Sequence, residues 1–382
     1  MACKIIYFVK FGRFSNTNLF VEQQLRRVFP EANLKVLDIK AFFTRPSLAL
    51  LLVLLKLSPR LFWQAIRVRL KLKDLSFVAI QMLLREPRIF RAIGDFARNH
   101  IELDRPNVWF TIQTQSLWDN TCEGIPNFIY TDSAALTNLY YTGADMRMIP
   151  SKPWLDQERA LYAKATRIFV MSDHVQSSLH KQYGQSGDRV KKVRVGANLT
   201  LPVGDLTPRP ETNKTILFVG VDWERKGGPQ LLDAFKRLPD RHRDAKLVIV
   251  GVSPAIEGQD IEIVGRVPST EVGTYYRQAA IFCLPTRIEP FGIVFIEAML
   301  HKLAVIAPSQ GAMTDFIRHK ETGVLVKPGD TDELVDALNW LLDHPFERGQ
   351  IADRGYQAIH KDYSWDRVGD RLREEIEAVT GP

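Results

Sequence analysis

ILFVGVDWERKGGPQLLDAFKRL, residues 216–238, holds one complete folding unit. Ile216–Gly220 is a short apolar run closed by a glycine, the pattern of a strand covered on both faces. Pro229–Leu238 sets Leu231, Leu232, Phe235 and Leu238 on one stripe, with Pro229 placed to start a helix. Between them, Val221–Gly228 is a polar loop carrying Arg225 and Lys226.

The same alternation runs outward in both directions. Strand candidates upstream are Lys4–Val9, Leu34–Leu37, Val108–Thr111, Asn127–Tyr130, Arg167–Met171 and Lys191–Val195. Downstream of Ile216–Gly220 they are Lys246–Val250, Ile261–Val264, Ala280–Leu284, Ala304–Ala307 and Gly323–Val326. Nearly all are continuous apolar runs, as parallel strands buried on both faces require. Between the two series, Leu201–Lys214 holds Pro202, Gly204, Pro208 and Pro210 and has no periodicity, which reads as a linker. The expectation is α/β: two Rossmann-like doubly wound domains facing a central cleft. Residues 1–205 form the first domain and residues 212–362 the second. Residues 363–382 are expected to form a helix that returns to the first domain. Ligands in such sheets bind where strand carboxyl ends feed loops and helix N-termini, so those junctions carry the functional reading.

A chain of 382 residues suits two domains. Its three cysteines, Cys3, Cys122 and Cys283, lie far apart, which fits a reducing compartment rather than a disulfide or zinc framework. No secretory leader is read at the N-terminus, so the expected location is the cytoplasm. Residues 1–110 hold 19 Lys/Arg against 8 Asp/Glu, while the whole chain is only +7, so the basic charge is concentrated there. Such asymmetry suits an anionic partner or a solvated basic surface. The stretch at residues 47–73, SLALLLVLLKLSPRLFWQAIRVRLKLK, is too short in its apolar part to span a bilayer, which needs roughly 20 apolar residues. It reads either as a helix pair lying on an anionic membrane surface, peripheral on the inner face, or as a pair of core helices with solvated basic faces.

The densest junction is Ile281–Leu300, IFCLPTRIEPFGIVFIEAML: a buried strand, a short polar loop, then a helix beginning near Gly292. Glu289 and Glu297 resemble a hydrolase acid pair at first sight. On one helix their spacing corresponds to about 12 Å of rise, beyond the roughly 5–9.5 Å that glycoside hydrolases use. The alternative is a division of labour, with Glu289 in the loop gripping a sugar and Glu297 in the helix accepting two ribose hydroxyls. Gly292 allows close backbone approach beside free N–H groups of the helix start.

Glu289-Pro-Phe-Gly-Ile-Val-Phe-Ile-Glu297 resembles the E-x7-E signature of retaining GT-B glycosyltransferases of family 4. Ala304–Ile306, Gly311, Asp315–Phe316 and Glu321–Leu334 follow in that family's order, and Phe218–Gly228 resembles its donor-phosphate loop. The resemblance covers the C-terminal half and is weaker over the first 200 residues, where Met171–Leu179 agrees. It implies a hexosyltransferase with no metal or other cofactor. The nucleotide-sugar is then its substrate, and a saccharide or lipid-linked saccharide its acceptor. It also implies same-face attack, with the donor's own phosphate assisting proton removal. Carried over by position, the catalytic candidates are Glu289, Lys226, Arg225 and Asp132. The donor-binding candidates are Glu297, Phe291, Gly292, Ile293, Gly220, Gly12 and Arg13. The family's usual arginine after the strand glycine is Val221 here, and Asp132 stands where a histidine is common. Asp132 reads equally as a sugar contact or as a helix cap.

Asp330-Thr331-Asp332 imitates a metal-binding D-x-D, yet it precedes a helical pattern and reads as a cap. Ser172 likewise reads as a cap, and Trp109, Trp118 and Trp154 as packed aromatics. Two other functions stay open: a catalytically silent nucleotide-sugar-binding protein, and another GT-B enzyme such as an epimerase. Nucleic-acid binding lacks any recognition motif.

Overall fold

The computed structural model describes residues 4–14, 16–44, 55, 80, 83–144, 146, 149–199 and 210–381. The membrane segment expected at 47–73 lies outside the described residues apart from Leu55, as does the expected linker up to residue 209. The chain forms two compact units. The first comprises Met1–Leu139, Asp145–Val193 and Val368–Pro382; the second comprises Tyr140–Ala144 and Arg194–Arg367.

The first unit is built on a six-stranded, all-parallel sheet ordered β2-β1-β3-β4-β5-β6. Its strands are β1 (Ile5–Lys10), β2 (Asn33–Asp38), β3 (Val108–Thr114), β4 (Asn127–Thr131), β5 (Arg167–Val170) and β6 (Val190–Lys192). Every residue of β4 is buried, which is why its sequence is continuously apolar apart from the ends. The accompanying helices include α1 (Thr17–Val28), α2 (Pro87–Glu102), α3 (Lys152–Lys164) and α4 (Asp173–Tyr183). Ser172 caps α4 as read from the sequence, its Oγ accepting the Val175 N–H at 3.2 Å.

The second unit carries another six-stranded parallel sheet, ordered β12-β11-β10-β7-β8-β9. Its strands are β7 (Thr215–Val219), β8 (Lys246–Val250), β9 (Ile261–Gly265), β10 (Ile281–Cys283), β11 (Ala304–Pro308) and β12 (Val324–Val326). The helices are α5 (Gly228–Lys236), α6 (Val272–Gln278), α7 (Ile293–Leu300), α8 (Thr331–Asp343) and α9 (Pro345–Ile359). Asp330 caps α8 through the Glu333 N–H at 3.0 Å, and Asp332 pairs with Arg237, so the D-x-D imitation is a helix start.

A final helix, α10 (Trp365–Thr380), begins in the second unit and belongs to the first from Val368 onward. There Arg27 pairs with Asp370 at 2.7 Å, Arg373 donates to the Val28 carbonyl at 2.5 Å, and Arg167 pairs with Glu375. Among the described residues no helix is long and apolar enough to cross a membrane. Cys122 and Cys283 are both free and buried.

The strand order decides where a ligand can sit in the second unit. β7 and β10 are hydrogen-bonded neighbours, with Ile216 opposite Ile281 and Leu217 opposite Phe282. The chain leaves β7 towards β8 on one side and leaves β10 towards β11 on the other. Their exit loops therefore part at the carboxyl edge, the topological switch point where doubly wound sheets take ligands.

Candidate active site

The two loops at that switch point are Gly220–Gly227 and Leu284–Gly292, the two junctions the sequence singles out. A lattice of short bonds ties them together. The carbonyl of Arg225 accepts the Arg287 N–H at 2.9 Å and the Thr286 hydroxyl at 3.2 Å. The Arg225 guanidinium bonds the Ile288 carbonyl at 2.7 Å through Nη1 and Asp222 at 3.1 Å through Nε. Arg225, one of the catalytic candidates, thus braces the two loops, with two of its donor groups engaged.

Gly227 explains how closely the loops approach. It lies at φ +76°, and a Cβ there would sit 2.1 Å from the Pro285 carbonyl oxygen. Only glycine satisfies both the left-handed backbone and the space. One residue earlier, the Lys226 ammonium pairs with the Glu289 carboxylate, and the two side chains are only 11% and 12% exposed. Glu289 is held from its backbone as well: the Tyr141 hydroxyl donates to its carbonyl at 2.7 Å. Tyr141 belongs to the short 140–144 segment of this unit, and Thr142 N–H bonds the Gln310 side chain, which in turn donates to the Arg287 carbonyl at 2.9 Å.

Glu289 is not on the helix that carries Glu297, since α7 begins only at Ile293. Gly292 precedes it at φ +90°, with the space of a Cβ filled by Met313 and Phe295. Gly292 has no side chain to cap α7; the Phe295 N–H bonds the Gly292 carbonyl at 2.9 Å, and the N–H groups before it point along the axis past the helix start. Glu297 lies one turn further in and is 5% exposed. One of its oxygens accepts the Asn198 N–H and the other the Tyr276 hydroxyl, both at 3.2 Å. Burial pushes its carboxyl up to about 7, against the pull of those two donors. Each oxygen keeps a further lone pair for a hydroxyl donor.

Gly220 follows β7, its N–H bonded to the Val250 carbonyl at 2.9 Å. Val221 follows it with 68% exposure, so the position of the family's usual arginine is an open apolar side chain. Among the described residues no cluster of three or more His, Cys, Asp or Glu could hold a metal ion.

The remaining candidates lie in the first unit. Gly12 has φ +58°, and its N–H bonds Asp38 at 3.1 Å while its carbonyl accepts from Asn18 at 2.9 Å. Its backbone is therefore internally bonded, whereas neighbouring Arg13 is exposed. Asp132, just past β4, lines a cavity of about 130 Å³ whose wall also includes Arg85, Ser116 and Glu158. Trp154 lines it too, yet is itself 2% exposed and donates to the Leu84 carbonyl at 2.9 Å. Sequence reading missed Tyr141, Thr286 and Glu158. The first two act across long chain separations, and Glu158 sits in an amphipathic helix pattern that suggests nothing but a surface charge.

Comparison with known proteins fits this geometry. Residues 206–358 match the family described as glycosyl transferases group 1, so the second unit carries a domain of that family. The chain is 33% identical over 186 residues to the phosphatidyl-myo-inositol mannosyltransferase of Mycobacterium tuberculosis, covering 45% of this chain and 49% of that protein. It thus spans about half the length of the curated relatives it matches. In three dimensions it resembles the sucrose-phosphate synthase of Thermosynechococcus elongatus with a TM-score of 0.72 at 17% identity, covering 98% and 99% of the two chains. The Anabaena protein HepE, solved with UDP and glucose, matches with a TM-score of 0.64 at 14% identity, over 99% of this chain and 100% of that one. Both likenesses establish a shared fold, that of the GT-B glycosyltransferases.

Proposed function

We propose that the protein is a nucleotide-sugar-dependent, retaining glycosyltransferase of the hexosyltransferase type, active without a metal ion. It would move a sugar to a saccharide or lipid-linked saccharide acceptor in cell-surface polysaccharide or glycolipid synthesis. The observation that carries this reading is the largely buried Lys226–Glu289 pair at the switch point of a region that matches glycosyl transferases group 1, with Glu297 on the adjoining helix. A departing nucleoside diphosphate gains negative charge as the glycosidic bond breaks. A cation already fixed at that place stabilises the charge without reorganisation. In the ligand-free protein Glu289 holds Lys226 in position. An incoming diphosphate offers Lys226 a second anion, which leaves the Glu289 carboxylate able to accept a sugar hydroxyl. Glu297 accepts the two ribose hydroxyls, and the uncapped start of α7 receives an anionic part of the donor.

The test is thermal stabilisation by a panel of UDP-, GDP- and ADP-sugars, since a ligand that binds only the folded state raises the melting temperature by mass action. UDP-sugars come first because HepE was solved with UDP. One class of donor should stabilise the wild type, and Glu297→Ala should abolish the effect; stabilisation by none of them would overturn the proposal. An anionic membrane surface is the partner proposed for residues 47–73. Co-sedimentation with phosphatidylglycerol vesicles should be lost when Arg60, Arg67 and Arg69 are neutralised, and no binding at low salt would remove that partner.

A further inference from the structure

The cavity in the first unit contains a cation that the donor-site chemistry leaves unused. Arg85 lines it half-buried, on the turn just before α2, and among the described residues it has no carboxylate, carbonyl or aromatic partner. The other charged groups of the wall are already committed. Glu158 is fully buried beneath the cavity and accepts three hydrogen bonds. They come from the Ser116 hydroxyl at 2.6 Å, the Ala135 N–H at 3.2 Å and the Tyr183 hydroxyl. Asp132 has an interaction partner as well. Burial lowers the proton affinity of the Arg85 guanidinium. A guanidinium partly stripped of water and lacking an ion-pair partner is disfavoured, and an oxyanion bound by its planar fork offsets that cost. The volume, about 130 Å³, is also roughly ten times the 10–15 Å³ or so that admits one water.

The surroundings set the rest of the ligand's character. Ser133 and Asn138 offer hydroxyl and amide groups, and Leu117 and Pro150 offer apolar surface, a mixture suited to a sugar ring. The wall is formed where the chain leaves β3 and β4, the edge at which such sheets take ligands. We propose that this cavity is a subsite for a sugar or polyol bearing an oxyanion, phosphate or carboxylate, with Arg85 as the group that selects the charge. In calling the bound group part of an acceptor, this rests on the glycosyltransferase reading; the selection of an anion by Arg85 does not.

Calorimetric titration of the full chain with glucose, glucuronate and glucose 6-phosphate tests it. A saturating nucleoside diphosphate, the one carried by the donor that stabilises best, keeps these probes away from Lys226. The wild type should bind at least one charged sugar about tenfold or more tightly than glucose, the worth of one charge-assisted bidentate contact. The stronger of the two charged probes tells a phosphate-bearing acceptor from a uronate. Arg85→Gln should erase the preference and leave nucleotide affinity unchanged. Arg85→Lys keeps the charge but not the fork, and should retain part of it. Equal affinity for glucose and both charged sugars, no binding of either charged sugar, or a preference that survives Arg85→Gln would each overturn the proposal. A protein that selects anions through Arg85 yet transfers no sugar would refute the glycosyltransferase reading alone.

Discussion

Replacing Glu297 by glutamine should make the ligand-free protein more stable and the nucleotide-bound one less so. The carboxyl's affinity for a proton rises from an ordinary 4.5 to about 7 because it is buried. At about 1.4 kcal/mol for each tenfold in proton affinity, holding it ionised in the folded protein costs up to about 3 kcal/mol above neutrality. The sign follows from proton counting. Between 4.5 and about 7 the folded state holds the proton more firmly than the unfolded state, so this group's contribution is fully present below 4.5 and is lost as pH rises through about 7. Glutamine removes the charge and keeps the bonds. Its carbonyl accepts the Asn198 N–H, and its amide donates to the Tyr276 oxygen, whose own proton turns to the Val294 carbonyl 3.3 Å away. The apparent Tm of Glu297→Gln should therefore exceed that of the wild type by several degrees at about pH 8, with the gap nearly closed at about pH 5. Nucleotide affinity should fall about tenfold or more, because a carboxylate accepts both ribose hydroxyls and an amide accepts one. A variant that melts below the wild type at high pH, or that keeps the wild-type nucleotide affinity, would refute the reasoning. Glu158, raised to about 7 by the same burial, adds a parallel pH slope that Glu297→Gln leaves in place.

Lys226→Ala should lower turnover by about a hundredfold or more, the effect of removing one preplaced group that stabilises developing charge; steady-state kinetics checks this. Glu289→Gln should depress kcat while leaving nucleotide affinity within about threefold of the wild type, because the role proposed for it is to grip the sugar. Gly227→Ala meets the Pro285 carbonyl at 2.1 Å and a left-handed backbone, so denaturant unfolding should show a loss of more than about 2 kcal/mol. Val221→Arg, at an exposed position, should tighten nucleoside diphosphate binding several-fold without lowering the Tm, readable by calorimetry.

The two sheets were legible because their strands are buried on both faces, and such burial writes continuous apolar runs into the sequence. Asn127–Thr131 and Ala304–Pro308 are fully buried end to end and are read from composition alone. That Glu289 and Glu297 stand on different elements was legible because the loop between them holds Pro290 and Gly292, which delay the helix to Ile293. Their physical setting was not. Lys226 meets Glu289 across 63 residues of chain, Tyr141 reaches the Glu289 carbonyl across 148, and Ser116 meets Glu158 across 42. Such pairings leave no periodic trace. The engagement of Arg225 with Asp222 and Ile288 was hidden for the same reason.

The central claim, that the group 1 domain transfers a sugar from a nucleotide donor, is tested most directly by product analysis. The protein is mixed with the donor that stabilises it and a set of saccharide and lipid-linked acceptors. Free nucleoside diphosphate is measured with and without acceptor, and the anomeric configuration of the product is read by proton NMR. The account predicts acceptor-dependent release, a product of the donor's own anomeric configuration, and loss of both in Lys226→Ala. Release that ignores the acceptor, a product of inverted configuration, or undiminished transfer in Lys226→Ala would contradict it.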